Sequence, residues 1–211
     1  MADWATISSL ATAGGTLVLA IATYGSVRSA NRSARVAEIA LEERRRPVLV
    51  QSRFDDPEQK VMFSDQHWVQ AGGGRGMVER GDGPLYLVLS VRNVGTGIAV
   101  LQGWHVRPGI IARRDVDHAE LEEIRPQIRD LYIAPGDVGL WQGAIRDESD
   151  AMYHPVAEAA DAREPLTVEL LYTDQVGDQR TISRFVLTPA GDDRWLATAG
   201  RHWYLDRAGP R

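Results

Sequence analysis

Five histidines, His67, His105, His118, His154 and His202, are the side chains of this 211-residue chain best suited to proton transfer or metal ligation. No two form an H-x-H or H-x-x-x-H pair, so a metal would need the fold to bring them together. The densest acidic run, Asp115 to Glu123 ("DVDHAELEE"), begins like a calcium loop. Its sixth position is Glu120, where the sharp turn of such a loop needs glycine, so the expectation is a solvated acidic loop. No serine sits in G-x-S-x-G, and a nucleophile elbow is therefore missing. The carboxylate pairs Asp55-Asp56 and Asp192-Asp193 are neighbours at turns, and adjacency on a strand points side chains apart. With no cysteine, thiolate catalysis, disulfides and Cys-ligated zinc are excluded. These residues define no catalytic, metal or cofactor site, and no cofactor is expected.

Two glycine-rich stretches could cradle a phosphate: "NVGTG" at 93–97 and "GGGRG" at 72–76. A dinucleotide fingerprint needs a third glycine and a following helix, yet Val100 stands three residues beyond Gly97 and the pattern continues as a strand. A P-loop needs Gly-Lys-Ser/Thr, and the one lysine is Lys60. "NVGTG" is thus read as a bend between strands, "GGGRG" as a hairpin tip, and no nucleotide is expected. The net charge of −5 lacks the basic footprint of a nucleic-acid binder, so no nucleic acid is expected either.

The tryptophans remain. Trp68, Trp104, Trp141 and Trp203 lie on or beside strand candidates, where they either fill a core or, near strand ends, anchor a partner. All four are kept as candidate interface residues.

The elements that must hold these residues fall into three segments. Residues 4–27 carry no charge, and as a helix they would rise about 36 Å, enough for a hydrocarbon core of about 30 Å. A transmembrane helix is the expectation, with Trp4 and Tyr24 at the interfaces. Arg28, Arg32 and Arg35, followed by Arg44 to Arg46, put the C-terminal side in the cytoplasm by the positive-inside rule, with the N-terminus outside the cell membrane. Ala20-Ile21-Ala22 also resembles a signal-peptidase site, which leaves a secreted domain as an alternative. Ser8, Ala11, Thr12, Gly15 and Thr16 form a small-residue face where a second helix could approach, from another membrane protein or another copy of the chain. Residues 28–46 read as a helical stalk with a weak heptad seam, Val27, Ala30, Ala34, Ala37 and Leu41, ending at Pro47.

From residue 47 to 211 the apolar period becomes two. "LYLVLSVRN" alternates Leu85, Leu87, Leu89 and Val91 against Tyr86, Val88, Ser90 and Arg92. Similar runs at 166–174 and 180–188, and candidates at 47–54, 59–70, 97–107, 128–134, 138–145 and 194–205, are separated by Gly-, Pro- and Asp-rich turns. Mainly β is the expected class, with a short helix within 150–163.

The charge-free N-terminus, the "RRRPVLV" entry, "NVGTGIA" and "YTDQVGD" together resemble a loose group of uncharacterised actinobacterial single-pass membrane proteins with a C-terminal β-sandwich. The resemblance implies an immunoglobulin-like antiparallel sandwich and carries no activity with it. The resulting expectation is a membrane-anchored cytoplasmic sandwich acting as a binding or accessory module for a partner protein, without catalysis. The alternative class is a hydrolase whose site assembles from loops.

Overall fold

The computed structural model describes residues 4–111, 117–191 and 194–206, with side chains from Thr12 onward. Trp4, Ser8 and Ala11 as side chains, and Asp115 and Asp192-Asp193 altogether, lie outside the described residues. The chain divides into a helical unit ending at Arg44 and a β unit beginning at Arg45.

The helical unit is one uninterrupted helix, α1 (Trp4–Glu43). Its last turn closes with the Arg44 amide on the Ala40 carbonyl at 3.2 Å, three residues before Pro47. Among the described residues no helix is long and apolar enough to cross a membrane. This overturns the single-pass anchor over 4–27 and, with it, the placement of the N-terminus outside and the C-terminal domain in the cytoplasm. The physical reason is dilution: Leu17, Val18, Leu19 and Ile21 are the large aliphatics between Thr12 and Ser26, and Thr16, Thr23, Ser26 and three glycines surround them. Thr16 and Ser26 turn their hydroxyls back onto the helix, each at 2.9 Å from the carbonyl four residues earlier. Tyr24, Arg28, Arg32 and Arg35 are exposed positions on the surface of this helix.

The β unit runs β1 (Leu49–Gln51), β2 (Gln59–Met62), β3 (Trp68–Ala71), β4 (Arg75–Arg80), β5 (Leu85–Asn93), β6 (Ala99–Pro108), β7 (Arg125–Ile133), β8 (Val138–Ile145), α2 (Tyr153–Asp161), β9 (Leu166–Thr173), β10 (Thr181–Ala190) and β11 (Arg194–Tyr204). The protein is mainly β. Nine strands form one antiparallel sheet in the order β1-β5-β4-β11-β10-β9-β6-β7, and β8 pairs with β5. Strand β5 explains the branching: β8 lies along residues 85–92, while β4 and β1 divide the opposite edge, at 85–89 and 91–93. The sheet curls until its ends meet, where Gln127 Nε2 of β7 donates to the Gln142 carbonyl of β8 at 3.2 Å.

Alternation decides what each face buries. Leu85, Leu87, Leu89 and Val91 of β5 meet Leu166, Val168, Leu170 and Tyr172 of β9 in the main core, and α2 adds Tyr153, Val156, Ala157 and Ala159. The other face of β5, Tyr86 and Val88, is covered by the β2–β3 hairpin through Phe63, Val69 and Ala71. A strand covered on both faces reads as an almost unbroken apolar run, which is what "LYLVLSV" is.

The bend at "NVGTG" serves the entry of the chain. Asn93 Nδ2 donates to the Gly97 and Ile133 carbonyls at 2.6 and 2.9 Å, and its Oδ1 accepts the Gly95 amide at 3.0 Å. The loop so formed lies against Arg45 to Val48, close enough that a Cβ on Gly97 would fall on the Arg45 carbonyl. Both sides of that contact are backbone, so neither can swing away. Gly97→Ala is expected to cost about 1–3 kcal/mol by overpacking, measured as a lowered urea midpoint with an unchanged slope.

Candidate functional site

Between β1 and β11 the sheet is not continuous. β11 pairs with β4 only at Trp195–Gly76 and Leu196–Arg75, and β1 pairs with β5. Past that point the Ala199 amide donates to a side chain, Gln51 Oε1, at 2.9 Å. On the β1 wall the Leu49 amide likewise ends on the Tyr172 hydroxyl, at 3.1 Å. One end of this gap opens into a cleft of about 620 Å3 lined by Gln51 to Asp55, Gly74, Ala197 and Thr198. Phe54 stands at the cleft and is 71% exposed. The floor is pre-organised: the Gly74 amide donates to Ser52 Oγ at 2.9 Å, and Ser52 Oγ donates to Ser90 Oγ at 2.6 Å.

Beneath the gap runs a relay of hydroxyls. The Tyr172 hydroxyl lies 2.8 Å from Ser183 Oγ, which lies 2.6 Å from His202 Nδ1. The Leu49 amide already donates to the tyrosine oxygen, so one polarity satisfies every member: tyrosine donates to serine, and serine to a neutral imidazole. Burial pushes the Tyr172 hydroxyl up to about 12 and pushes the His202 imidazole down. The Ser183–His202 pair has the reach of a nucleophile and its base. Ser183, however, is wholly buried and already held by Tyr172, so no substrate atom can come against it.

Because folding holds His202 below its ordinary value, the unfolded chain binds its proton more readily. The stability it contributes is present above about pH 6.5 and lost as pH falls toward the folded value. His105, also depressed chiefly by burial and partly restored by Glu169, has the same sign. Thermal midpoints are therefore expected to drop as pH is lowered from about 7 to about 5, and His202→Gln should flatten that slope. An unchanged slope in the variant would assign the effect elsewhere. The carboxylates of Asp56 and Asp206, held low by hydrogen bonds from Arg92 and Arg180, and of Asp65, held low against its burial by the Tyr86 hydroxyl, act at lower pH.

A second polar cluster occupies the outer face of β6, β9 and β10. Glu169 is wholly buried and accepts from Arg184 Nε at 2.6 Å and from the Ala119 amide at 2.7 Å, with Arg107 at 3.7 Å. The Arg184 guanidinium also donates to the Asp117 carbonyl and lies 4.6 Å over the Trp203 ring. Residues 117–119 are thereby strapped down across the sheet. Through these contacts Glu169 anchors residues 117–119 to the sheet.

The tryptophans separate into two kinds. Trp104 and Trp141 fill the core as an edge-to-face pair 5.5 Å apart, so neither presents an interface. Trp203 is half-buried between the Arg184 and Arg201 guanidiniums. Trp68 alone of the four is largely exposed, at 55%, with Lys60 Nζ 4.9 Å from its ring. Neither Gln51 nor Phe54 carries a sequence signal for the cleft: it is a missing strand partner, and pairing is not written in any single residue. Among the described residues no group of His, Asp or Glu could hold a metal ion.

A comparison of the chain with protein-family models, curated proteins and solved structures finds no match.

Proposed function

We propose that the β unit is a binding module that holds part of a partner protein and performs no catalysis of its own. The observation that carries this reading is the cleft beside Phe54, an exposed aromatic at the edge of a concave, pre-organised site. Aromatics in that position are favoured anchors at protein interfaces. The wholly buried Ser183, already held by Tyr172, also favours binding over the hydrolase alternative. The finer fold reading, an immunoglobulin-like sandwich, draws support from the β4–β5, β9–β10 and β10–β11 hairpins and from the β5 and β9 faces that meet across the core.

The test is a photo-crosslinking amino acid at position 54, in cells that make the protein, with position 148 on an exposed loop as control. A discrete, light-dependent adduct at 54 and not at 148 is expected. The same products at both positions, or none at 54, would remove the cleft as a binding site.

A further inference from the structure

We propose that the outer edge of β2 takes an extended acidic segment of a partner protein as an added β-strand, at residues that line no part of the Phe54 cleft. Alternation fixes which main-chain groups face that edge. The Phe63 amide donates to the His67 carbonyl at 2.9 Å, so 63 and 67 are a hydrogen-bonded pair at the end of the hairpin. Counting back in register, Val61–Val69 and Gln59–Ala71 are bonded pairs, whereas Met62–Trp68 and Lys60–Gln70 are not. Met62 and Lys60 therefore turn their main-chain groups away from β3, where no described strand pairs with them.

β8 approaches β2 from beneath. Val61 belongs with Leu140 and Ala144 of β8 to the cluster that also holds Phe63 and Val69 under the hairpin. That contact uses the buried face of the hairpin and leaves the edge open. Each of the two outward residues offers one donor and one acceptor. The chemistry complementary to such a row is another extended backbone.

Side chains supply the selectivity. Lys60, Met62, Trp68 and Gln70 share the exposed face of the hairpin, opposite Val61, Val69 and Ala71. Short length and lysine are the usual guards of an open edge, and β2 has four residues and the one lysine of the chain. The guard also selects: a cation opposite Lys60 is repelled, while a carboxylate there gains a cross-strand partner. The Lys60 ammonium lies 4.9 Å from the Trp68 ring, and no carboxylate among the described residues pairs with it. Beside it, Met62 and Trp68 form an apolar shelf with room for an aromatic or aliphatic side chain. In the antiparallel sense, the more stable per residue, the ligand pattern is an apolar residue, a spacer and an acidic residue.

The test uses the full-length protein and a fluorescein-labelled heptapeptide, Thr-Thr-Phe-Thr-Glu-Thr-Thr, whose threonines favour extended backbone. In antiparallel register its phenylalanine lies opposite Met62 and its glutamate opposite Lys60, and these two residues turn their main-chain groups to β2. N-methylation of those two amides should weaken binding at least about tenfold. Methylation of the threonines on either side of them should leave binding like the parent. Replacing the peptide glutamate with lysine should cost about threefold to tenfold, and Lys60→Glu should reverse the order of the two peptides. Met62→Pro removes an outward amide without touching the bonds to β3, as proline on an edge strand can. It should weaken parent binding at least about tenfold. No binding of the parent at about 1 mM, equal effects of the two methylation phases, or a peptide order unchanged by Lys60→Glu would overturn the proposal. A dimer by light scattering that Met62→Pro turns into a monomer would give the edge to a second copy and overturn it as well. Adducts at position 54 report on the cleft alone, so failure of the peptide leaves the cleft reading standing, and loss of the adducts leaves the β2 edge standing.

Discussion

Arg184→Met is expected to destabilise the β unit by about 3–5 kcal/mol, as observed generally when one member of a buried ion pair is removed. The cost arises because Glu169 remains wholly buried with only the Ala119 amide and the more distant Arg107 guanidinium against it, and because the strap at Asp117 to Ala119 loses a guanidinium donor. The pair itself is a poor source of stability, since desolvating both ions offsets much of their attraction. The double variant Arg184→Met, Glu169→Leu should therefore recover most of the loss. Urea unfolding of the two single variants and the double gives the coupling directly. Losses that simply add would mean that the two side chains act separately, contrary to the 2.6 Å contact.

Trp141→Ala is expected to lower stability by a similar amount, about 3–5 kcal/mol, through lost burial plus an unfilled cavity. Trp141 is fully buried against Trp104, and Gly143 and Gly139 flank it on β8 where larger residues would collide with neighbouring side chains. Its effect should appear in unfolding and not in binding: adduct formation from position 54 should persist wherever the variant is folded. Trp68→Ala is the contrast, an exposed ring whose removal forfeits little beyond a cation–π contact of about 0.5–1 kcal/mol.

Strands with an unambiguous alternation are legible in the order of residues alone. The expected strand at 138–145 matches β8, and 194–205 differs from β11 by one residue. The run 59–70 instead divides into β2 and β3 around a turn in which Gln66 adopts φ 66, a break that polar residues alone do not mark. Strand β4 is hidden because "GGGRG" reads as a flexible tip, yet its last two residues, Arg75 and Gly76, are the ones that pair with β11. The tryptophans show why burial is harder to read than strand. Trp104 and Trp68 sit in equally strand-like surroundings, and the difference comes from which strand has neighbours on both sides. Glu169 and Arg184 give no signal because each is one charge in an apolar run, fifteen residues apart along the chain. Only antiparallel pairing of β9 with β10 makes them neighbours. The membrane expectation fails for a quantitative reason: freedom from charge is not hydrophobicity, and threonine, serine and glycine supply the one without the other.

Three glutamines hold this sheet where its ladders stop. Gln127 ties β7 to β8, Gln51 ties β1 to β11, and Gln59 Nε2 ties the β2–β3 hairpin to the Val138 carbonyl of β8 at 3.2 Å. A carboxamide carries no charge at any pH and attracts no counterions. Added salt, which weakens exposed ion pairs such as Arg80–Asp161 and Arg180–Asp206, leaves these three latches untouched. The curvature of the sheet is thus insulated from ionic conditions, and so is the width of the gap that Gln51 spans.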